Sequence, residues 1–196
     1  MIRSRTLFYT TAVLSFIIAL MSFRFLALGM NDAFPEMIGH ITDSKFAFVA
    51  HVTAAPIALV LGTMNMLDRR RKKRRTLHRW TGRAYAVAIL IGGLSGFALA
   101  IGASGGLAAT FGFGMLSILW IVTTAQAVRF AIARNFVAHR RWIIRSFALT
   151  LAAVTLRLYL PFFMIFGEMT YSQASVWVAW LCWVPNLALA EWWLRR

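Results

Sequence analysis

Two histidines, His78 and His139, stand in similar stretches of sequence in which arginine and tryptophan follow the histidine: TLHRWTGR at 76–83 and AHRRWIIR at 138–145. Imidazole nitrogen is a frequent ligand of haem iron and of other metals, and arginine binds carboxylates and phosphates. The combination predicts a clamp for a charged cofactor. The alternative is that these residues anchor two helices among headgroups, where each arginine attracts anionic lipid by about 1 kcal/mol.

A second set of ionisable residues lies inside long apolar runs. At 1.5 Å per residue, His51 is about 8 Å, Arg24 about 9 Å and Arg157 about 12 Å inside the outer end of its run. A buried arginine costs about 2.5–3.5 kcal/mol unless it reaches the interface or a partner. One interpretation is that the two arginines reach acidic residues at the outer surface, namely Asp32, Glu36, Asp43 or Glu168. The other is that they face an anion supplied from outside the chain, such as a haem propionate or an acidic substrate.

The composition places these residues in a membrane protein. Of 196 residues, 60% are hydrophobic and 14% are charged, which is outside the range of soluble domains. The net charge of +15 is sorted between the two sides of the membrane instead of forming one face, so we expect no nucleic-acid partner. Cys182 is the only cysteine, which excludes an internal disulfide and a cysteine-based metal site. The chain is predicted to be a single membrane domain, residues 1–196.

Six apolar runs have the length of about 20 residues that a bilayer core requires. They cover residues 7–30, 46–67, 85–104, 107–132, 143–166 and 176–194. We predict six transmembrane helices, the first uncleaved because its run is too long for a signal peptide. Basic residues concentrate in the connections at 69–75 and 134–145, so the positive-inside rule places both termini in the cytoplasm. The prediction is a multi-pass protein of the bacterial inner (plasma) membrane, with anionic lipids at its cytosolic face.

The elements that position the histidines are two tandem hairpins, made by the second and third helices and by the fourth and fifth. They predict a four-helix core with the first and sixth helices on its flanks. Hairpins of equal orientation place the third and fifth helices diagonally opposite, with His78 and His139 at matching heights. On the fifth helix, Ser146, Thr150 and Arg157 share a stripe that is predicted to face the bundle interior.

An intramembrane His51, the two His-Arg-Trp motifs and a closing Thr155-Leu156-Arg157 resemble the family of bacterial membrane proteins known as domain of unknown function 2306. The resemblance covers about residues 46–161, and that family has no established activity. It is distantly similar to the cytochrome b561 and ferric-reductase group, whose four-helix cores bind two b haems through histidine pairs on diagonal helices. The resemblance implies haem b as a cofactor, with His78 and His139 as ligands of the iron.

The same resemblance implies that the arginines beside these histidines bind the haem propionates, namely Arg79, Arg83, Arg140 and Arg145. A second pair of histidines is missing because the fourth helix contains none. His51 would therefore pair with Met115, act as a single axial ligand, or not bind haem. Together with His51, Arg24 and Arg157 are candidate cofactor-binding residues of the outer layer.

Two classes of function follow from these residues. The first is a b-type haem protein that passes electrons between a quinol and a redox partner. The second is a non-enzymatic membrane protein that holds an anionic lipid, a quinone or a partner helix against its arginines. A transporter is a weaker third class, since no pair of broken helices is evident. No hydrolase motif is present, and the sequence identifies neither an enzymatic activity nor a catalytic residue.

Overall fold

The computed structural model describes residues 2–67 and 75–196, which form helices with no strand among them. In a bilayer the backbone has no water to bind, and a helix satisfies its polar groups internally. The helices are α1 (Ile2–Ser22), α2 (Phe25–Leu28), α3 (Met30–Ala33), a 3-10 turn (Pro35–Met37), α4 (Ile38–Asp43), α5 (Lys45–Leu67), α6 (Arg75–Ile101), α7 (Gly106–Ile132), α8 (Phe136–Thr150), α9 (Ala152–Ile165), α10 (Tyr171–Leu181) and α11 (Val184–Arg195).

Six segments of the described chain are long and apolar enough to cross a membrane, which confirms the predicted number. They are Tyr9–Leu28, Lys45–Met66, Thr76–Ile101, Gly106–Ile132, Phe136–Ile165 and Tyr171–Arg195. The predicted starts of the third and fifth spans are wrong, because the third helix begins at Arg75 and the fifth at Phe136. Hydropathy marks only the part of a helix that lies in hydrocarbon, whereas arginine and histidine extend the same helix into the headgroups.

The fifth and sixth spans are interrupted, although the sequence shows no evident pair of broken helices. The fifth is divided at Leu151 into α8 and α9, and the sixth at Cys182 and Trp183 into α10 and α11. Pro185 follows the second break as a residue of the first turn of α11, where its missing N–H costs no hydrogen bond. Pro161 lies inside α9, away from the first break.

The two predicted hairpins form the core of the bundle. The α5 helix packs on α6, α6 on α7, α7 on α8, and both α8 and α9 return to α5. The first span packs on α5 and α9, and the sixth packs on α7, α8 and α9. The four-helix core with two flanking spans is therefore confirmed, and α6 and α8 occupy diagonal corners.

Hydroxyl groups fill the middle of this core and form a cluster that we term the central hydroxyl network. The Tyr85 hydroxyl lies 2.9 Å from Ser146 Oγ and 2.8 Å from Thr150 Oγ1. Trp120 Nε1 donates to Thr150 Oγ1 at 2.8 Å, and Ser146 Oγ lies 2.7 Å from Thr124 Oγ1. All five side chains are buried. The predicted polar stripe of the fifth helix thus faces the interior, as expected.

The two ends of the bundle differ in the charge of their exposed side chains. At the basic end, where α7 joins α8, the exposed side chains include Arg79, Arg83, Arg129, Arg134, Arg140, Arg141, Arg195 and Arg196. At the opposite end, which we term the loop end, the exposed acidic residues are Asp32, Glu36, Asp43 and Glu168. The basic run 69–75 lies outside the residues whose side chains the structure describes.

Candidate functional site

A cavity of about 220 Å³ opens between the helices in the half of the bundle nearer the loop end, and we term it the loop-end cavity. All four core spans, α1 and α4 contribute to its walls, which are mostly apolar. A cavity of about 150 Å³ holds benzene, so this one has room for a ring or a head group. Its polar lining residues are Ser22, His40, His51, Ser117, Trp120, Thr150 and Arg157.

The ring of His51 is held in one orientation. Its Nδ1 lies 2.8 Å from the carbonyl oxygen of Gly92, which can only accept a hydrogen bond, so Nδ1 carries the proton. In the neutral ring Nε2 is then an acceptor, and no described residue donates to it. Gly96 makes room for the ring, since a Cβ there would lie 3.0 Å from both Cε1 and Nδ1 of His51. The ring orientation and the tautomer of His51 are therefore both set by α6.

Arg157 faces the same cavity without an acidic partner. Its Nη1 donates to the carbonyl oxygen of Ala153 at 3.0 Å, and its Nη2 donates to Ser22 Oγ at 2.8 Å. In the described part of the chain the only ion pair joins Arg145 to Glu191. The expected pairing of Arg157 with an acidic residue of the outer surface is therefore wrong. A guanidinium has five N–H donors, and three of them stay available to a ligand.

Arg24 has a different role from Arg157, although both were expected to form one outer layer. Its Nη1 donates to the Met21 carbonyl oxygen at 3.2 Å and its Nη2 donates to that of Ala33. Its Cζ also lies 4.6 Å from the centre of the Phe34 ring. Helix-end carbonyls carry negative partial charge, so they compensate this cation. Arg24 does not line the cavity, but its charge repels that of Arg157.

His40 lines the cavity and was missed by sequence reasoning. It lies in α4, between the first two spans, where neither hydropathy nor motif spacing marks it. Burial lowers the pKa of His40 below its ordinary value of 6.5, and the nearby Asp43 carboxylate raises it by a smaller amount. His40 is therefore a neutral imidazole at pH 7.

The α7 helix presents Phe113, Leu116, Ser117 and Trp120 to the cavity, at the three- and four-residue spacing of one helix face. Met115 lies outside this stripe and is 43% exposed on the outer surface of the bundle. A ligand pair of His51 and Met115 is therefore wrong. Ser117 was not singled out in the sequence, and its hydroxyl makes no hydrogen bond with any described residue.

The predicted pair of His78 and His139 has equivalent positions in the two hairpins. Each is the fourth residue of its helix, and each lies seven residues before a member of the Tyr85–Ser146 hydrogen bond. Both histidines are therefore about 10 Å nearer the basic end than that bond, at matching heights as predicted. His139 Nδ1 lies 2.8 Å from the Ala127 carbonyl oxygen, which leaves Nε2 as the nitrogen able to bind a metal.

Among the arginines near these two histidines, Arg145 already forms an ion pair with Glu191. Its Nε and Nη2 donate to the two carboxylate oxygens of Glu191, the second bond measuring 2.9 Å. Its Cζ lies 4.8 Å from the centre of the Trp142 ring. The Glu191 carboxylate already neutralises the charge of Arg145, so Arg145 attracts a propionate less strongly than an unpaired arginine would.

The other three arginines that were predicted to bind propionates, Arg79, Arg83 and Arg140, are exposed. Arg83 Cζ lies 5.1 Å from the centre of the Trp80 ring, within the range of a cation–π contact. Exposure of all three agrees with both the anchor and the cofactor interpretations. No group of three or more His, Cys, Asp or Glu side chains within the described ranges is placed to hold a metal ion.

A family model described as "Predicted membrane protein (DUF2306)" matches residues 48–194. No curated protein and no solved structure matches the chain, so the similarity to the cytochrome b561 group is not supported. The matched region reaches beyond the predicted 46–161 and contains the sixth span with Glu191. It includes His51 and Arg157 but neither Arg24 nor His40.

Proposed function

Because this chain belongs to the DUF2306 family of predicted membrane proteins, we propose that its membrane domain binds the anionic head of an amphipathic ligand in the loop-end cavity. One observation carries the proposal. Arg157 is a cation inside a membrane span, it lines a cavity, and it has no carboxylate partner in the described chain. An anionic head would supply that partner.

The energetics favour an anion over the other two occupants that the sequence suggested. An unpaired arginine in the membrane costs about 2.5–3.5 kcal/mol, and an anion offsets this cost. A quinone is neutral, so it offsets less of the cost of burying the Arg157 charge. A partner helix is about 10 Å across and needs a groove, whereas this cavity measures about 220 Å³. The apolar walls suit the chain of an amphiphile that enters beside its head.

Native mass spectrometry of the protein purified in a mild detergent tests the proposal. The wild type should retain an anionic lipid or another amphiphile that Arg157→Met, which keeps an unbranched side chain but removes the charge, does not retain. Ser22→Ala removes one hydrogen bond but keeps the charge, so it should retain the ligand. Arg140→Ala at the basic end is the matched control and should also retain it. Identical adducts on the wild type and on Arg157→Met would contradict the proposal.

Haem b held by His78 and His139 is a second candidate, favoured by their matching heights and by the Ala127 bond that leaves His139 Nε2 available. The exposed Arg79, Arg83 and Arg140 would bind its propionates, whereas Arg145 is ion-paired with Glu191. A bound haem would supply one-electron transfer to a quinol or another redox partner.

Reduced-minus-oxidised spectra of protein from haem-replete cells test this second candidate. Soret and alpha bands should appear in the wild type and in His40→Ala but not in His139→Ala. Absence of both bands from the wild type would exclude the haem.

The orientation is also a proposal, in which the basic end faces the cytoplasm of a bacterial inner membrane and its arginines contact anionic lipids. Cysteine labelling with a membrane-impermeant maleimide in intact cells tests it, in a Cys182→Ser background. Asn31→Cys at the loop end should react at once, whereas Ala133→Cys at the basic end should react only after permeabilisation. The reverse order would invert the topology.

A further inference from the structure

We infer that the loop-end cavity selects a head group that presents an O–H donor beside an anionic oxygen, which is the chemistry of a phosphate monoester carrying one proton. The inference rests on the proposed binding of an anionic head by Arg157. It adds a role for His51 as the residue that distinguishes this head from other anions.

The hydrogen-bonding character of His51 follows from its surroundings. The Gly92 carbonyl fixes the proton on Nδ1, and the absence of a side chain at Gly96 fixes the ring beside that carbonyl. A second buried cation beside Arg157 would add like-charge repulsion to a desolvation cost, so the ring is neutral. Nε2 therefore offers the cavity a lone pair and no proton.

Three of the polar groups that line the cavity match a protonated phosphate better than other anions. Arg157 offers N–H donors to an anionic oxygen, the Ser117 hydroxyl can donate or accept, and His51 Nε2 only accepts. Carboxylates and sulfate esters have oxygens that only accept, so either would place a lone pair opposite Nε2. A phosphate monoester with one proton has acceptors for Arg157 and one O–H for His51. A buried acceptor left unmatched weakens binding by about tenfold.

The walls of the cavity indicate where such a phosphate comes from. Phe113, Leu149 and Leu156 are among the apolar residues that line it, and they would contact an alkyl chain rather than water. A free phosphate ion would make no contact with these apolar side chains. The ligand is therefore expected to be an amphiphile with a phosphate monoester head, and inorganic phosphate is expected to bind at least tenfold more weakly.

Titration calorimetry of the full chain in a maltoside detergent tests the inference at about pH 5, where a phosphate monoester retains one proton. The probes are octyl phosphate, octyl sulfate and inorganic phosphate. The wild type should bind octyl phosphate about tenfold more tightly than octyl sulfate. His51→Phe, which keeps a ring but has no acceptor, should bind the two octyl probes equally. Arg140→Ala, a variant at the basic end outside the cavity, should keep the preference.

The outcomes separate this inference from the proposed function. Equal binding of octyl phosphate and octyl sulfate by the wild type would overturn the role of His51 while the anion site stands. Binding of neither probe, or binding that Arg157→Met does not weaken, would overturn the anion site itself. Inorganic phosphate that binds as tightly as octyl phosphate would overturn the amphiphile and point to a free phosphate ion.

Discussion

Replacing Tyr85 with phenylalanine should lower the stability of the bundle by a predictable amount. The substitution removes one phenolic oxygen, which lies 2.9 Å from Ser146 Oγ and 2.8 Å from Thr150 Oγ1. Tyr85 is 2% exposed, so no water or lipid headgroup can replace these bonds. The ring itself is kept, so the packing of this side chain in the core changes little.

The magnitude follows from what the two partners retain. Ser146 keeps its bond to Thr124, and Thr150 keeps its bond to Trp120, so neither hydroxyl is left without a partner. The loss is then two hydrogen bonds in a membrane protein, at about 0.6 kcal/mol each, or about 1 kcal/mol in all. For a chain of this size that loss lowers the Tm by about 2–4 °C.

Thermal unfolding in one detergent, followed by circular dichroism, measures the difference. Tyr159→Phe is the matched control, because the hydroxyl of Tyr159 makes no hydrogen bond with any described residue, and its Tm should equal that of the wild type. A double-mutant cycle of Tyr85→Phe with Ser146→Ala should show coupling, since both changes break the same bond. Equal Tm values for Tyr85→Phe and Tyr159→Phe would refute the reasoning.

Three further predictions concern other parts of the molecule. Gly96→Ala would place a methyl group 3.0 Å from the His51 ring and displace that ring. Calorimetry should then show that octyl phosphate binds about tenfold more weakly, whereas octyl sulfate loses less affinity. An equal loss of affinity for the two probes would contradict this. His40 has a lowered pKa in the folded protein, so its contribution to stability is present above pH 6.5 and is lost as the pH falls through the lowered value. The Tm of the wild type should therefore fall between pH 7 and pH 5 more than that of His40→Gln, and parallel curves would exclude the effect. Glu191→Gln breaks the partly exposed ion pair between Glu191 and Arg145 and should lower the Tm by about 2–4 °C. Because salt screens an exposed ion pair, the decrease in Tm should be smaller at about 1 M salt. A decrease that does not depend on salt would argue against the ion pair.

The six spans and the two hairpins were predictable because hydropathy and chain order determine them. The equal heights of His78 and His139 followed from the tandem hairpins, whereas the inward stripe of Ser146 and Thr150 followed from their helical spacing. The starts of α6 and α8 were not predictable from hydropathy, since arginine and histidine continue a helix beyond the hydrocarbon region.

The residues of the cavity were only partly predictable. His51 and Arg157 attract attention because ionisable groups are rare in apolar runs. The partner of Arg157 is Ser22, which lies 135 positions earlier in the chain and is an ordinary residue of its helix. His40 is placed by the path of the segment between the first two spans, which no local pattern determines. Such contacts depend on how the helices pack, so only the structure reveals them.

The central hydroxyl network forms the floor of the loop-end cavity, since Trp120 and Thr150 belong to both. A ligand that moved farther toward the basic end would have to separate hydroxyl groups that already satisfy one another, with nothing in the apolar core to replace their bonds. We therefore expect a blind pocket, which a ligand leaves by the route it entered. A ligand bound in such a pocket would exchange with one leaflet only and would not cross the membrane through this bundle.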